Sequence, residues 1–206
     1  LLCGKSLQTE ITFTNLLCFK KEEEIVCESC ISSFESIGGN HCPTCFKKGM
    51  SIICQDCQFW CKKGVKVDHV ALYSYNQAMK EYFSRYKFDG DYLLRKVFSE
   101  ILQKELKKYK NYQIVIVPLS DQRLKSRGFN QVEGLIKDTG LAYLDILVKK
   151  EVEASSSKNR SDRLLAEFPF LLKDVVKLPE NILLFDDIYT TGTTLNRLKS
   201  MFLEAG

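Results

Sequence analysis

Hydrophobic and polar positions fall into two regimes, one before and one after residue 66. In the second, Val67 to Tyr75 reads as a strand, with Val70 and Leu72 among its apolar positions. Gln77 to Tyr86 and Tyr92 to Tyr109 carry helical spacing: Leu94, Val97, Phe98, Ile101, Leu102 and Leu106 recur at intervals of three and four. Ile114 to Val117 is wholly apolar and ends at Pro118, the pattern of a strand buried on both faces. Residues 129–138 read as a helix, Leu141 to Val148 as a strand, and the polar, serine-rich stretch 149–163 as a mobile loop. Ile182 to Phe185 reads as another buried strand and Thr193 to Glu204 as the helix after it. Strands alternating with helices predict an α/β fold with a mostly parallel sheet flanked by helices. Ligands of such sheets bind beyond the carboxyl ends of the strands.

Composition adds exclusions. Apolar residues are 45% of the 206 and charged residues 27%, with 11 Gly and 4 Pro, which excludes a disordered or collagen-like chain. No apolar run approaches the roughly 18 residues of a membrane span, so direct membrane insertion is not expected. No signal peptide is visible, and the start at Leu1-Leu2 without a methionine suggests that residues upstream are missing. The net charge of +4 fits nucleic acid or phosphate as a partner without selecting either.

Cysteine divides the chain. All 9 cysteines lie between Cys3 and Cys61. Residues 1–66 hold 8 Lys/Arg and 7 Asp/Glu, and residues 67–206 hold 22 and 19, so the halves differ in cysteine rather than charge sign. The expected organisation is a small cysteine-rich zinc module over 1–66 followed by a larger domain over 67–206. Cys27/Cys30, Cys42/Cys45 and Cys54/Cys57 are C-x-x-C pairs, which can each present two thiolates to one tetrahedral zinc. The pairs 42/45 and 54/57 can close one site, although a cross-braced arrangement uses the same cysteines. The pair 27/30 needs a second knuckle, of which Cys3 supplies one thiolate and a residue upstream of Leu1 could supply the other. A disulfide framework is the alternative; the odd count, the missing secretory signal and the repeated spacing weigh against it. Cys18 and Cys61 read as spare thiols, and His41 as a surface residue.

The most informative segment runs from Leu183 to Leu195: an apolar strand, then Asp186-Asp187, then Thr190-Thr191-Gly192-Thr193-Thr194 opening a helix. Backbone N–H groups at a helix start carry partial positive charge and dock anions. Gly192 permits close backbone approach, and threonine hydroxyls add donors. The two carboxylates can accept sugar hydroxyls and help hold a hydrated Mg²⁺ bridging to pyrophosphate. A plain N-capped helix would account for one threonine and one aspartate, not for the whole constellation.

This segment resembles the phosphoribosyl diphosphate (PRPP) signature of type I phosphoribosyltransferases. With the C-x-x-C series, Tyr86-Lys87-Phe88-Asp89-Gly90-Asp91, Val117-Pro118-Leu119, Arg127-Gly128-Phe129-Asn130-Gln131 and the Arg163 loop, the whole chain resembles the ComF family, which joins an amino-terminal zinc module to a phosphoribosyltransferase-like domain. The resemblance implies that Asp186 and Asp187 contact ribose hydroxyls and that Thr190, Thr191, Gly192, Thr193 and Thr194 cradle the 5′-phosphate. The loop after the strand at 114–117 would lie near the pyrophosphate, with Arg123, Lys125, Arg127 and Lys87 available to pyrophosphate or a DNA backbone. A solvated basic turn and a snorkelling lysine are the plainer alternatives for these cations. Two departures stand out. The family continues into a further strand where this chain stops at Gly206, and the loop Lys158 to Arg163 offers no evident general acid or base.

The resemblance implies two functions. In the first, the protein acts in natural transformation, handling incoming single-stranded DNA in the cytoplasm beside the membrane uptake machinery, with a ComFA-like helicase ATPase as partner, PRPP and Mg²⁺ as ligands and zinc as structural metal. Arg123, Lys125, Arg127, Lys158 and Arg160 would track the DNA backbone, and tyrosines or Phe129 would stack on bases. In the second, it is a working phosphoribosyltransferase that moves phosphoribose from PRPP to a base. A zinc hydrolase is disfavoured, because all-cysteine sites are normally structural.

Overall fold

The computed structural model describes residues 1–4, 25–151, 168–173 and 177–206. Cys18 and the part of the serine-rich loop at 152–163, with Lys158, Arg160 and Arg163, lie outside the described residues.

The architecture is α/β, with a parallel sheet flanked by helices and a cysteine cluster toward the amino terminus. Among the described residues the central sheet has three strands: β1 (Gln113–Ile116), β2 (Tyr143–Leu144) and β5 (Ile182–Phe185), ordered β2-β1-β5. Both pairings of β1 are parallel, with Ile114 opposite Leu183 and Ile116 opposite Phe185. Successive side chains of β1 enter different cores, as period-two geometry requires. Ile114 and Ile116 pack with Tyr82, Tyr86 and Leu94, whereas Val115 and Val117 pack with Leu198 and Phe202.

Helix α3 (Gln77–Phe88) shows how the pattern becomes structure. The Asn76 side chain accepts from the Met79 N–H and caps its start. Met79, Tyr82, Phe83 and Tyr86 then share the buried face. Two of these tyrosines satisfy their buried hydroxyls on backbone carbonyls, Tyr82 on Leu94 (3.2 Å) and Tyr86 on Gln131 (3.0 Å). A Cβ at position 134 would collide with the Tyr86 hydroxyl, so Gly134 makes room for it.

Several expected elements change form. Residues 92–109 do not make one helix: a 3₁₀ turn spans Tyr92–Phe98, α4 covers Ser99–Leu106, and a second 3₁₀ turn covers Lys107–Tyr109. The stretch expected as a strand at 67–75 forms no strand; it meets the segment at 35–37 through the Ser36–Tyr73 bridge and the Ile37 N–H to Leu72 carbonyl bond, and the Thr44 carbonyl through the His69 N–H. The strand expected at 141–148 divides into β2 and β3 (Leu147–Lys149), and β3 turns away to pair antiparallel with β4 (Phe170–Leu172), which the sequence pattern does not announce. The segment after the strand at 114–117, which carries Arg123, Lys125 and Arg127, forms helix α5 (Asp121–Arg127), closed by Gly128 at φ 82°. Its signals are present in the sequence: an acid in the first turn, Arg127 in the last, and a left-handed glycine stop. Helices α6 (Gln131–Lys137) and α7 (Thr193–Ala205) lie where the periodicity puts them.

The cysteine-rich segment contributes α1 (Glu28–Ile31) and α2 (Gln55–Lys62). Phe34, just beyond α1, sits edge-on to Phe98 at 5.0 Å and to Tyr82 at 5.9 Å. It thus belongs to the same core as α3 and the 3₁₀ turn.

Candidate functional site

Asp186 and Asp187 come directly after β5, and a cavity of about 620 Å³ runs along β5 and has both aspartates in its wall. Neither carboxylate is freely solvated. Asp186 Oδ1 accepts the Asp187 N–H at 2.9 Å. Burial, and then the charge of Asp187, push the Asp186 carboxyl up to about 7. Asp187 has an ion partner instead: Lys87 Nζ meets its Oδ2, with the two side chains 13% and 7% exposed. The Lys87 ammonium also lies 4.6 Å from the centre of the Phe83 ring. So little solvent reaches this pair that each charge needs the other.

The next loop is close-packed. Gly192 caps α7 with φ 75°, a conformation that side chains rarely adopt. A Cβ there would collide with the Tyr189 hydroxyl and the Asn196 amide. Those two polar atoms are buried and have no hydrogen-bond partner among the described residues. Thr191 and Thr193 share a hydroxyl–hydroxyl bond of 2.8 Å, and Thr190 is exposed. Residues 190–194 therefore gather N–H and hydroxyl groups at the amino end of a 13-residue helix, close to two carboxylates.

The other candidate cations divide. Lys87 points inward to Asp187. Arg127 is half-buried, hydrogen-bonds the Gln131 side chain and lies 5.8 Å from the centre of the Phe88 ring. Burial lowers its pKa while the charge of Asp187 raises it, so Arg127 stands within the electrostatic reach of that aspartate. Arg123 and Lys125 are exposed along α5. Phe129, expected from the sequence to stack on bases, packs instead against Tyr86 and Tyr92 at 5.2 and 4.8 Å. Phe88, at the end of α3, is 78% exposed, and Tyr75 and Tyr112 are exposed as well. Lys149 escapes a reading of the sequence because nothing in its local sequence marks it. Its ammonium sits 5.0 Å from the centre of the Phe170 ring, and burial, then Arg123, depress its pKa while Asp186 and Asp187 raise it.

Cys42, Cys45, Cys54 and Cys57 are all buried, and their sulfurs lie within 4.8 Å of one another. The Cys42–Cys57 and Cys45–Cys54 sulfur separations are 3.9 and 3.6 Å. A disulfide needs about 2.05 Å, whereas four sulfurs each about 2.3 Å from a tetrahedral centre lie about 3.8 Å apart. The donor set and its spacing thus fit a metal ion such as zinc. Cys3, Cys27 and Cys30 form a second, more exposed group within the same distance limit. Cys61 is exposed and stands apart from both groups, and His41 stacks on Phe46 at 4.1 Å. No helix among the described residues is long and apolar enough to cross a membrane.

Fold and site together define an α/β protein in which a four-cysteine module stands beside an acid- and threonine-bearing loop at the carboxyl edge of a parallel sheet. Over all 206 residues it is 57% identical to Competence protein ComFC of Streptococcus pneumoniae strain R6, covering 94% of that protein. It is 33% identical, again over its full length, to Competence protein ComFC of Bacillus subtilis strain 168, covering 89% of it. No family model matches the chain. The chain belongs to the ComFC family of competence proteins.

Two outcomes are expected. Metal analysis of purified protein finds zinc, and Cys45→Ser lowers the content by about one equivalent while Cys61→Ser does not. Equal metal content in both variants would exclude the buried site. The second concerns Asp186, whose pKa rises on folding from 3.8 to about 7. The native state holds that proton more tightly, so stability is full below the unfolded value and declines as pH rises through 7. Asp186→Asn keeps a neutral acceptor, so it raises the melting temperature more at pH 8 than at pH 5. The rise is roughly 2–4 °C for each kcal/mol of relieved desolvation. Thermal scans at the two pH values decide it, and a loss at pH 8 contradicts the assignment.

Proposed function

We propose that this protein works in natural transformation as a cytoplasmic handler of incoming single-stranded DNA, and that its larger domain, a type I phosphoribosyltransferase-like fold, binds PRPP with Mg²⁺. The ComFC names of its relatives support the first part. The observation that carries the second is the loop at 190–194, which opens α7 on a left-handed glycine with no room for a Cβ, directly after two carboxylates. In this reading Asp186 and Asp187 accept the ribose hydroxyls. The amides and hydroxyls of Thr190, Thr191, Gly192, Thr193 and Thr194 take the 5′-phosphate. Lys87 pairs with Asp187, and Arg123, Arg127 and Lys149 supply positive potential for the pyrophosphate. Mg²⁺ accompanies that pyrophosphate and neutralises part of its charge.

DNA contact is assigned to the face where Phe88 projects beside Arg127, with Arg123 and Lys125 on the neighbouring exposed helix. An exposed aromatic ring among cations suits stacking on bases without sequence readout. A ComFA-like helicase ATPase is the proposed partner, and zinc in the four-cysteine site the proposed structural metal.

Calorimetry with PRPP and Mg²⁺ tests the ligand. Wild type binds, and Asp187→Asn, which turns one carboxylate oxygen into an amide donor and strands the Lys87 charge, weakens binding by at least about tenfold, or about 1.4 kcal/mol. Unchanged affinity would overturn the assignment. Release of pyrophosphate on adding a nucleobase would mean that a base nitrogen forms the new bond to C1 of the ribose as the C1–oxygen bond to pyrophosphate breaks, making the protein a transferase as well.

For DNA, binding of an oligothymidylate declines linearly on a log–log salt plot, by about 0.7 per phosphate contact. Phe88→Ala costs about 1–3 kcal/mol of affinity at fixed salt. A flat salt response, or full affinity in Phe88→Ala, contradicts this surface.

A further inference from the structure

The cysteine module and the signature loop touch directly, and the contacts are specific. Trp60, the protein's one tryptophan, lies on α2 between Cys57 and Cys61 and packs among the four clustered cysteines. Its indole Nε1–H donates to the Thr191 carbonyl at 2.9 Å, across 131 residues of chain. A second contact runs through Tyr189, which packs against the same cysteine cluster. Its ring stacks on His69 with centroids 4.0 Å apart and planes 16° from parallel. His69 is in turn held by its backbone N–H on the carbonyl of Thr44, which lies between Cys42 and Cys45. A third contact joins α7 to the module's end, Lys199 Nζ donating to the Lys66 carbonyl at 2.9 Å.

The geometry of a trans peptide makes the Trp60 bond consequential. In a planar trans unit the C=O and the adjoining N–H point in opposite directions. Fixing the Thr191 carbonyl on Trp60 therefore turns the Gly192 N–H the other way. It also removes one carbonyl, a local negative dipole, from competition with any anion at the loop. Tyr189 acts from below, its hydroxyl filling the space beside Gly192 that a Cβ would need.

We infer that the four-cysteine module is a clamp on the signature loop: Trp60 and Tyr189 are positioning residues that hold 189–193 in an anion-accepting shape, and emptying the cysteine site loosens that loop. The inference rests on the reading of this loop as a phosphate cradle, and it adds a regulatory link, since anything that strips or oxidises the cysteine cluster would weaken ligand binding without touching Asp186 or Asp187.

The test uses the full chain in three forms: wild type, Trp60→Phe, and wild type stripped with a zinc-selective chelator that spares Mg²⁺. Trp60→Phe keeps an aromatic ring in the cluster and deletes the N–H donor. Hydrogen exchange is monitored in peptides covering 190–194 and 113–116, with metal content measured alongside. In Trp60→Phe, metal content stays at the wild-type value, exchange at 190–194 accelerates about tenfold, and protection at 113–116 is unchanged. In the stripped protein, exchange at 190–194 accelerates likewise and the emission of Trp60 shifts to longer wavelength. PRPP affinity, measured by calorimetry with Mg²⁺, falls about tenfold in Trp60→Phe. Exchange at 190–194 within about twofold of wild type in a metal-replete Trp60→Phe protein overturns the clamp, as does equal PRPP affinity. A wild type that ignores PRPP while its loop still loosens in Trp60→Phe sinks the ligand reading and keeps the clamp, so the two failures are distinct.

Discussion

Parallel pairing of β1 with β5 is the constraint on which the rest depends. Four residue pairs, ending with Ile116 opposite Phe185, bring the carboxyl ends of both strands to one edge. Apolar side chains cover both faces of β1, so the strand ends cannot shift without exposing one of two cores. The segment after each strand is then placed by default: Asp186-Asp187 and the threonine loop after β5, and α5 with its cations after β1. Burial of the two acids is a consequence of this placement, and it sets the chemistry. One acid pairs with Lys87, and burial with the neighbouring charge pushes the other up to about 7.

The cysteine-rich segment answers a different physical problem. A chain of this length has too little apolar surface to support a core alone, and metal coordination is the usual remedy. Two of its large side chains also reach beyond it. Phe34 joins the core of the α/β unit, and Trp60 spans from the cysteine cluster to the Thr191 carbonyl. The module is thus joined to the neighbouring fold by both apolar burial and a directed hydrogen bond. This explains how a segment with no evident catalytic group can matter to a site built by β5 and α7.

Much of this is legible in the amino-acid order, because the relevant signals are local. Short wholly apolar runs locate β1 and β5, helical patterning locates α3 and α7, and C-x-x-C spacing locates the knuckles that converge at Cys42, Cys45, Cys54 and Cys57. Strand, acid pair, glycine and threonines fall within one short segment, so the candidate loop can be read from their order alone. Helix α5 is written in its acid start and glycine stop, signals that its cations overshadow. The antiparallel β3–β4 pair is not announced locally, since Leu147–Lys149 and Phe170–Leu172 are short and belong to no common pattern.

Contacts between distant segments were decided by the tertiary structure. Nothing near Lys87 says that it meets Asp187, nothing near Phe88 says that it faces outward while Phe129 packs inside, and nothing near Trp60 points to Thr191. Periodicity tells which face of an element is apolar, not which other element that face will meet. That choice belongs to the global packing, where shape and charge must be satisfied at once, and it turned a legible loop into a buried, charge-balanced and clamped site.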